Sequence, residues 1–245
     1  SVTPLRGPGD AIFPEHVDTL TPDHKPLLIG SGSGDIIDRY QIVWNGRYVN
    51  YDHSLCTPNA KGMTPDLVNE EWFTQSKLII VRTGQEFKTA LDDDHFYLSN
   101  NLFSSFRRQD SSLNVSYEYL SALLNSRLLQ AFLRIRIAPR LGGLYVETKI
   151  KHLDLLPIRR IDFTTPVEER EQLVAAAKVR AQESIESLVT SGVTGSNAPL
   201  DRAVLVRAAS PALSFVEERL SADPEQADVG HDLLAHLAER MVAMH

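Results

Sequence analysis

The side chains in this sequence that are best suited to bind a ligand are basic, and they concentrate in one stretch. From Arg127 to Arg160 there are eight basic residues and two acidic ones, a local net charge of +6 in a chain that carries −7 overall. Because arginine and lysine donate hydrogen bonds to phosphate oxygens, this local excess favours a polyanionic partner. The candidates for contacting a nucleic acid are Arg39, Arg47, Arg82, Arg107, Arg108, Arg134, Arg136, Arg140, Lys149 and Lys151.

Half of these candidates precede the basic stretch and are interleaved with aromatic residues. The planar guanidinium group of arginine fits both phosphate oxygens and the guanine edge in the major groove. The alternative is that many of these arginines form ordinary surface ion pairs. The distribution of charge favours a functional basic face, because residues 1–160 carry no net charge and residues 161–245 carry the whole net charge of −7.

A different chemistry is suggested by three residues that match the loose pattern of a Mg²⁺-dependent nuclease. Asp66 follows a proline, and Glu86 and Lys88 form a Glu-x-Lys arrangement after nineteen intervening residues. In such enzymes two carboxylates hold the metal, and a lysine positions the attacking water. The motif is short and its flanking residues do not form an apolar strand, so chance is the simpler explanation.

Other residues that often carry chemistry form no recognisable site in the sequence, and we predict no catalytic or metal-binding residue. The single cysteine, Cys56, excludes an internal disulfide and a multi-cysteine metal centre. The eight histidines lack a metal-binding spacing. The glycine-rich residues 30–35 match neither a phosphate-binding loop nor a dinucleotide fingerprint, so we expect a tight turn there. Residues 92–95 predict a solvated turn between two strands.

The first 160 residues predict short strands rather than alternating strand–helix units. We expect strands at 25–30, 77–82 and 96–98, with residues 102–103 continuing the sheet. A hairpin is expected around Asn45-Gly46, since this dipeptide suits the two positive φ angles of a type I′ turn. We also expect a short helical turn at 70–73 and a turn at Thr83-Gly84.

The strongest helical pattern begins at Tyr117. Apolar residues recur at spacings of three and four along residues 117–135, which predicts one helix with a single buried face. That face would comprise Tyr117, Leu120, Leu124, Leu128, Ala131 and Ile135. Pro139 and Gly142-Gly143 end the helix, and residues 155–158 are expected to form a closing strand.

The C-terminal third predicts a helical extension. Thr165 is placed to cap a helix from Pro166 to about Thr190, because proline and acidic side chains suit a first turn. Two more helices are expected near 199–221 and 226–243, with Pro211 kinking or splitting the first of them. The predicted organisation is an irregular entry segment at 1–24, a recognition domain at 25–165 and the helical extension at 166–245.

These elements predict an α+β fold, with a mixed sheet of short strands and hairpins, a core helix and the C-terminal helical extension. Six blocks in a fixed order also resemble a known family: LLIGSGSGDIIDRY, WNGRYVNYD, FTQSKLIIVRTG, FYLSNNLFSSF, YLSALLNSRLLQAFLR, and IKHLDLLPIRRID with PVEEREQLV. Over residues 25–185 the chain resembles the TaqI-like C-terminal specificity domain, or target-recognition domain, of adenine-specific DNA methyltransferases and type II restriction–modification enzymes. The resemblance implies that Arg82 and the block from Gly30 to Tyr40 are parts of a DNA-recognition fold.

The resemblance also implies a division of labour between domains. In that family S-adenosylmethionine and the catalytic Asn-Pro-Pro-Tyr motif belong to a separate domain, and neither this motif nor a glycine-rich cofactor strand occurs here. We therefore expect a recognition fragment that is not an enzyme and binds no cofactor. It would position double-stranded DNA for a methyltransferase domain of the same parent chain. That parent would be an N6-adenine DNA methyltransferase, with or without a fused restriction endonuclease.

Two further expectations concern location and partners. The sequence has no apolar stretch long enough to cross a membrane and no secretory signal, so we expect a cytoplasmic location and no membrane partner. The acidic C-terminal helices offer an alternative function, in which the chain is a helical protein-interaction module.

Overall fold

The computed structural model describes residues 22, 24–30, 35–51, 69–84, 86–107, 114–136, 146–190 and 202–244. Within these residues the chain has an α+β structure, which confirms the predicted fold class. It forms two compact units. The first contains the described parts of Ser1–Ser111, Ser121–Ile158 and Met241–His245, and the second contains those of Ser112–Leu120 and Arg159–Arg240.

The described strands are short, and the longest helices come last in the chain. The strands are β1 (His24–Leu28), β2 (Ile36–Asp38), β3 (Gln41–Val43), β4 (Tyr48–Asn50), β5 (Lys77–Val81), β6 (Thr83–Gly84), β7 (Thr89–Asp92), β8 (Tyr97–Leu98), β9 (Leu102–Ser105) and β10 (Val146–Glu147). The helices are α1 (Tyr117–Leu124), α2 (Arg127–Arg136), α3 (Ile150–Leu153), α4 (Val167–Thr190), α5 (Arg202–Leu220) and α6 (Ala227–Ala243). A 3₁₀ helix at Glu70–Trp72 confirms the short helical turn that was predicted before β5.

The described strands pair into several small sheets, one of which is mixed. β5 is the centre of an antiparallel sheet in the order β7-β5-β9. β1 is the centre of a second sheet in the order β4-β1-β8, in which β1 and β8 run parallel. β2 pairs with β3, and β6 pairs with β10. Leu28 of β1, Ile79 of β5 and Ala90 of β7 belong to one buried cluster, so the core of the first unit lies among these strands.

Two buried charges fix the register of β5 against β7. Lys77 and Asp92 are partners in the ladder, with Nζ 2.5 Å from Oδ2, and both side chains are fully buried. The Lys77 ammonium also donates to the carbonyl of Phe73, and the Asp92 carboxylate accepts the N–H groups of Asp94 and Phe96. Burial lowers the pKa of Lys77 and raises the pKa of Asp92, because each charge loses its hydration. Asp92 is therefore not part of the predicted solvated turn, which is exposed only at residues 93–95.

The hairpin predicted at Asn45-Gly46 is wrong. β3 pairs with β2 across a turn in which Tyr40 has a positive φ of 65°, and β4 pairs with β1 instead. The buried carboxylate of Asp35 accepts the N–H of Ile29 at 2.8 Å and the N–H of Asn45 at 3.1 Å. These two bonds tie the segment between β3 and β4 to the end of β1, so the chain does not fold back on β3.

Two other local predictions are also wrong, because strand formation depends on a partner strand elsewhere in the chain. Thr83-Gly84, expected as a turn, forms β6 and pairs with β10. Residues 155–158, expected as a closing strand, follow α3 without strand pairing, and Leu155 and Ile158 remain exposed. A segment of two to four residues becomes a strand only where another strand supplies its hydrogen bonds, and local sequence does not determine that partner.

The predicted single helix at 117–135 is interrupted. α1 ends at Leu124, and the chain leaves the helical path at Asn125 and Ser126 before α2 begins. The hydroxyl of Ser126 accepts the N–H of Leu129 at 3.2 Å, which caps the start of α2. Serine and asparagine favour helix ends because their side chains satisfy main-chain groups that a helix leaves unpaired.

The interruption changes which side of α2 is buried. Leu129 and Leu133 are each 5% exposed, whereas Leu128 and Ile135 are each 78% exposed. The predicted buried face is therefore wrong in α2, where Ala131 is exposed as well. Two non-helical residues alter the rotation between the helices, so a periodicity counted across them does not describe one face.

The second unit confirms the helices predicted for the C-terminal third. Val174 of α4, Phe215 of α5, and Val229 and Leu233 of α6 share one buried cluster. α5 continues through Pro211 without being split. The apolar contacts among the three helices supply a core for this unit that is separate from the core of the first unit.

Thr165 has a different role from the predicted helix cap. Its N–H and its hydroxyl both donate to the carboxylate of Asp228, at 2.9 and 2.7 Å. Asp228 is fully buried, and a guanidinium nitrogen of Arg170 lies 3.9 Å from it. The buried carboxylate of Asp228 thereby ties the chain entering α4 to the first turn of α6. Its hydrogen bonds are stronger than they would be in water, because the surroundings are desolvated.

We predict that the buried Lys77–Asp92 pair is strongly coupled. Lys77→Met should lower the free energy of unfolding by about 3–5 kcal/mol, because it leaves a carboxylate buried without its counter-ion. Adding Asp92→Asn should recover part of that loss, since the amide oxygen still accepts N–H groups but carries no charge. Urea unfolding followed by circular dichroism measures both changes.

Lys25→Met is the matched control for this pair, because Lys25 is a half-buried strand lysine outside the pair. Its effect should stay within about 0.5 kcal/mol, the range typical of surface substitutions. If the double variant is less stable than Lys77→Met alone, the coupling is refuted.

Candidate nucleic-acid interface

One side of α2 presents basic and apolar side chains to solvent together. We call the exposed residues Arg127, Leu128, Ala131, Arg134 and Ile135 the α2 ridge, because their spacing places them on one side of the helix. The Arg134 side chain is 62% exposed, and Leu128 and Ile135 are more exposed still. Such a surface suits a partner that offers both anionic and apolar groups.

Two side-chain amides hold α2 in place. The Oδ1 of Asn125 accepts the N–H of Thr89 at 3.1 Å, and its Nδ2 donates to the carbonyl of Thr89 at 2.9 Å. Gln130 makes the same pair of bonds with the N–H and the carbonyl of Phe87. β7 is the edge strand of its sheet, and alternate residues along such an edge direct both main-chain groups outward. The amides thus occupy the place of a neighbouring strand, and they orient the α2 ridge away from the sheet.

A network of charges lies beside the amides. The Glu86 carboxylate is 3.3 Å from the Arg39 guanidinium and 3.8 Å from that of Arg134. Lys88 pairs with Asp38 at 3.1 Å. The network therefore joins the β2–β3 turn, the approach to β7 and the α2 ridge, and it contains three cations and two anions. Each of these pairs is partly exposed, so each contributes only a few tenths to about 1 kcal/mol.

Arg82 is held by the protein itself. Its Nε and Nη2 donate to the Glu147 carboxylate at 3.1 and 2.6 Å, and its Nη1 donates to the carbonyl of Asn100 at 3.1 Å. The guanidinium group also lies 5.7 Å from the ring centre of Phe103. The hydrogen bond from Arg82 lowers the pKa of the Glu147 carboxyl. With its donors engaged in this way, Arg82 joins β5, β9 and β10, and its predicted contact with DNA stays a prediction.

The remaining predicted contacts are spread over the first unit. Arg136 is exposed, and its guanidinium lies 5.6 Å from the ring centre of Phe132. Arg47 is half-buried between β3 and β4, and Arg107 is exposed after β9. Lys149 and Lys151 are exposed around α3. The two other candidates, Arg108 and Arg140, lie outside the described residues.

The side chain of His152 shows how basic the surroundings of α3 are. Its Nδ1 accepts the N–H of Lys149 at 3.1 Å. Burial, together with the nearby Lys151 and Lys149, lowers the pKa of His152, because both neighbours repel a second positive charge. This lowered pKa favours the neutral imidazole, and the lysines supply the positive charge of this segment.

The residues of the nuclease alternative have other partners. Glu86 faces the guanidinium groups of Arg39 and Arg134, and Lys88 is paired with Asp38. Asp66 lies outside the described residues. In the part of the chain that the structure describes, no three His, Cys, Asp or Glu side chains are grouped so that they could hold a metal ion. In the same part, no helix is long and apolar enough to cross a membrane.

Sequence reasoning does not identify the residues that position the α2 ridge. The signal available for Asn125 is the Asn-Ser pair inside an otherwise helical pattern, since both residue types favour helix ends. Gln130 gives no comparable signal, because its partner Phe87 is distant in the sequence. The spacing of seven residues between Arg127 and Arg134, in contrast, already predicts that they share one helix face.

We predict that Asn125→Ala destabilises the first unit by about 2–3 kcal/mol, because the buried N–H of Thr89 loses its acceptor. The amide proton of Thr89 should also exchange with solvent faster, which hydrogen-exchange measurements would detect. Asn100→Ala, which removes an amide from an exposed turn, is the control and should change stability little. Equal stability of the two variants would contradict a positioning role for Asn125.

The chain was compared with curated proteins and with models of known protein families. A search of curated proteins finds no match. Residues 26–158, more than half of the chain, match the family described as the TaqI-like C-terminal specificity domain. The match begins within β1 and ends at Ile158, where the 121–158 segment of the first unit also ends. It includes Asn125, Gln130 and the α2 ridge. On this match, the chain belongs to the family of TaqI-like C-terminal specificity domains.

Proposed function

We propose that this chain recognises a specific sequence in double-stranded DNA and positions that DNA for an adenine-specific methyltransferase of the restriction–modification type. The observation that carries the proposal is the family match over residues 26–158, since a specificity domain serves to select a DNA sequence. The α2 ridge within that match offers the physical means. Cations exposed on a rigid helix neutralise phosphates, and side chains beside them reach base edges.

The composition of the α2 ridge suits both kinds of contact. Arg127 and Arg134 are seven residues apart, so they extend from the same side of the helix over about two turns. An arginine fork accommodates phosphate oxygens or the guanine edge, and an exposed Leu or Ile side chain can contact the methyl group of thymine. Arg39 borders the ridge through Glu86. Arg107, Lys149 and Lys151 would add phosphate contacts, and Arg108, Arg140 and Arg47 stay proposed contacts from the sequence.

Catalysis would belong to another domain of the same parent chain. That domain would supply S-adenosylmethionine and the residues that hold the target adenine, whereas this chain would act as the non-enzymatic recognition fragment. Binding to cellular DNA would place the protein in the cytoplasm.

We predict that the chain binds duplex DNA with an affinity that falls as salt rises. Each phosphate contact should add about 0.9 to the slope of log affinity against log salt concentration. Arg127→Gln with Arg134→Gln should therefore reduce the slope by about 2 and weaken binding by about tenfold or more at low salt. Fluorescence anisotropy with a labelled duplex at several salt concentrations measures both quantities.

Lys178→Gln with Arg180→Gln is the matched control, because it removes two exposed positive charges from α4 in the second unit. It should leave the slope unchanged. Selection from a pool of random duplexes should enrich one sequence, and failure to enrich any would contradict sequence-specific recognition. Absence of binding to every duplex at 50 mM salt would refute the proposal as a whole.

A further inference from the structure

Glu86 lies where arginines from two separate elements meet. Its Oε2 is 3.3 Å from Nη2 of Arg39, which belongs to the β2–β3 turn. Its Oε1 is 3.8 Å from Nη2 of Arg134, which belongs to the α2 ridge. The Glu86 side chain is 42% exposed, so the carboxylate is at the surface where DNA would approach these arginines.

We propose that Glu86 is a specificity-determining residue, which competes with DNA phosphates for Arg39 and Arg134 and thereby weakens binding to duplexes of the wrong sequence. The inference rests on the proposed function, because it concerns the same DNA-binding surface. Glu86 acts through the two arginines, and it does not itself contact a base.

Because the Arg39, Arg134 and Glu86 side chains are partly exposed, replacing Glu86 by a phosphate as the partner of either arginine costs little free energy. Ion pairs between exposed side chains contribute little, since water and salt screen them. The Arg134 pair is at the outer limit of ion-pair distance, and its guanidinium is more exposed than the carboxylate. Each arginine can therefore leave Glu86 for a phosphate at a small cost, and that cost falls most on a duplex that needs both arginines for its binding.

The Glu86 charge also repels the phosphate backbone. A random duplex binds through its phosphates alone, so it has to take both arginines from Glu86, whereas a duplex of the recognised sequence is held in part by base contacts and depends less on these two phosphate contacts. The carboxylate should thus reduce the affinity for random DNA by a larger factor than it reduces the affinity for the recognised site. Its effect is on discrimination between sequences.

The main chain of Arg39 stays fixed whichever partner its guanidinium takes. Its N–H donates to the Asp38 carboxylate at 2.7 Å, and the N–H of Tyr40 donates to the carbonyl of Thr89 at 3.1 Å. Asp38 is itself paired with Lys88. Neutralising Glu86 therefore frees the guanidinium without releasing the turn, so the turn should stay folded in a Glu86 variant.

The test is Glu86→Gln in the full chain, assayed with a random-sequence duplex and with the duplex obtained by selection. Removal of one negative charge beside the arginines should tighten random-duplex binding about threefold or more. The salt slope should steepen by about 1, because arginine–phosphate contacts no longer displace a protein carboxylate. Binding to the selected duplex should tighten less, so the ratio of the two affinities should fall. Glu86→Asp, which keeps the charge, should resemble the unsubstituted protein.

Glu147→Gln is the matched control. The Glu147 side chain is 44% exposed, a fraction similar to the 42% of Glu86, and it also pairs with an arginine. That arginine, Arg82, has further partners in Asn100 and Phe103, so it should not move to DNA when the charge is removed. Random-duplex affinity should change less than twofold. In the double variant Glu86→Gln with Arg134→Gln, the gain in affinity should disappear.

The outcomes separate the two proposals. If the unsubstituted chain binds no duplex, the proposed function is refuted. If it binds DNA, and a Glu86→Gln protein with an unchanged melting temperature binds random duplex no more tightly, the role of Glu86 is refuted. An equal gain in Glu147→Gln would also refute it, because overall charge would then account for the effect.

Discussion

Two side-chain amides form hydrogen bonds with the β7 edge of the β7-β5-β9 sheet, and the position of α2 depends on these bonds. Asn125 pairs with the N–H and the carbonyl of Thr89, the first residue of β7. Gln130 pairs with the same two groups of Phe87, two residues earlier. An uncovered strand edge would expose main-chain groups to water or to another chain. Satisfying them with amides allows a helix, rather than a further strand, to lie at this edge. The same bonds set the rotation of α2, so Leu129 and Leu133 face inward while the α2 ridge faces outward.

Electrostatics then distinguishes arginines that build the fold from arginines that are available to a ligand. Arg82 joins three strands through Glu147, the carbonyl of Asn100 and the ring of Phe103, and its donors are engaged. Arg134 is exposed and only loosely paired with Glu86. Both are predicted DNA contacts in the sequence, but their surroundings in the structure differ. A carboxylate that meets two arginines without burying them moderates a positive surface and leaves it accessible.

Each unit also contains a desolvated carboxylate that joins segments distant in the chain. Asp92 faces Lys77 within the first unit and fixes the turn that leads to β8, while Asp228 holds the N-terminal approach to α4 within the second. In both places the carboxylate accepts several hydrogen bonds, which offset the loss of hydration. Removing one partner of such a group is costly, so these contacts favour one arrangement of the chain over alternatives.

The sequence alone determined the α+β class, the family resemblance, the strand at β5, the helices α4–α6 and the presence of a basic segment after Tyr117. These features follow from local periodicity, from residues that favour helix ends and from block order, all of which are properties of neighbouring residues. Only the tertiary structure decided that β4 pairs with β1, that Thr83-Gly84 is a strand, and that Asn125 divides the central helix. It also decided which arginines remain exposed. The physical reason is that strand partners, burial and ion pairs depend on residues far apart in sequence: the partner of Glu86 is Arg39, the partner of Arg82 is Glu147, and no local pattern specifies either.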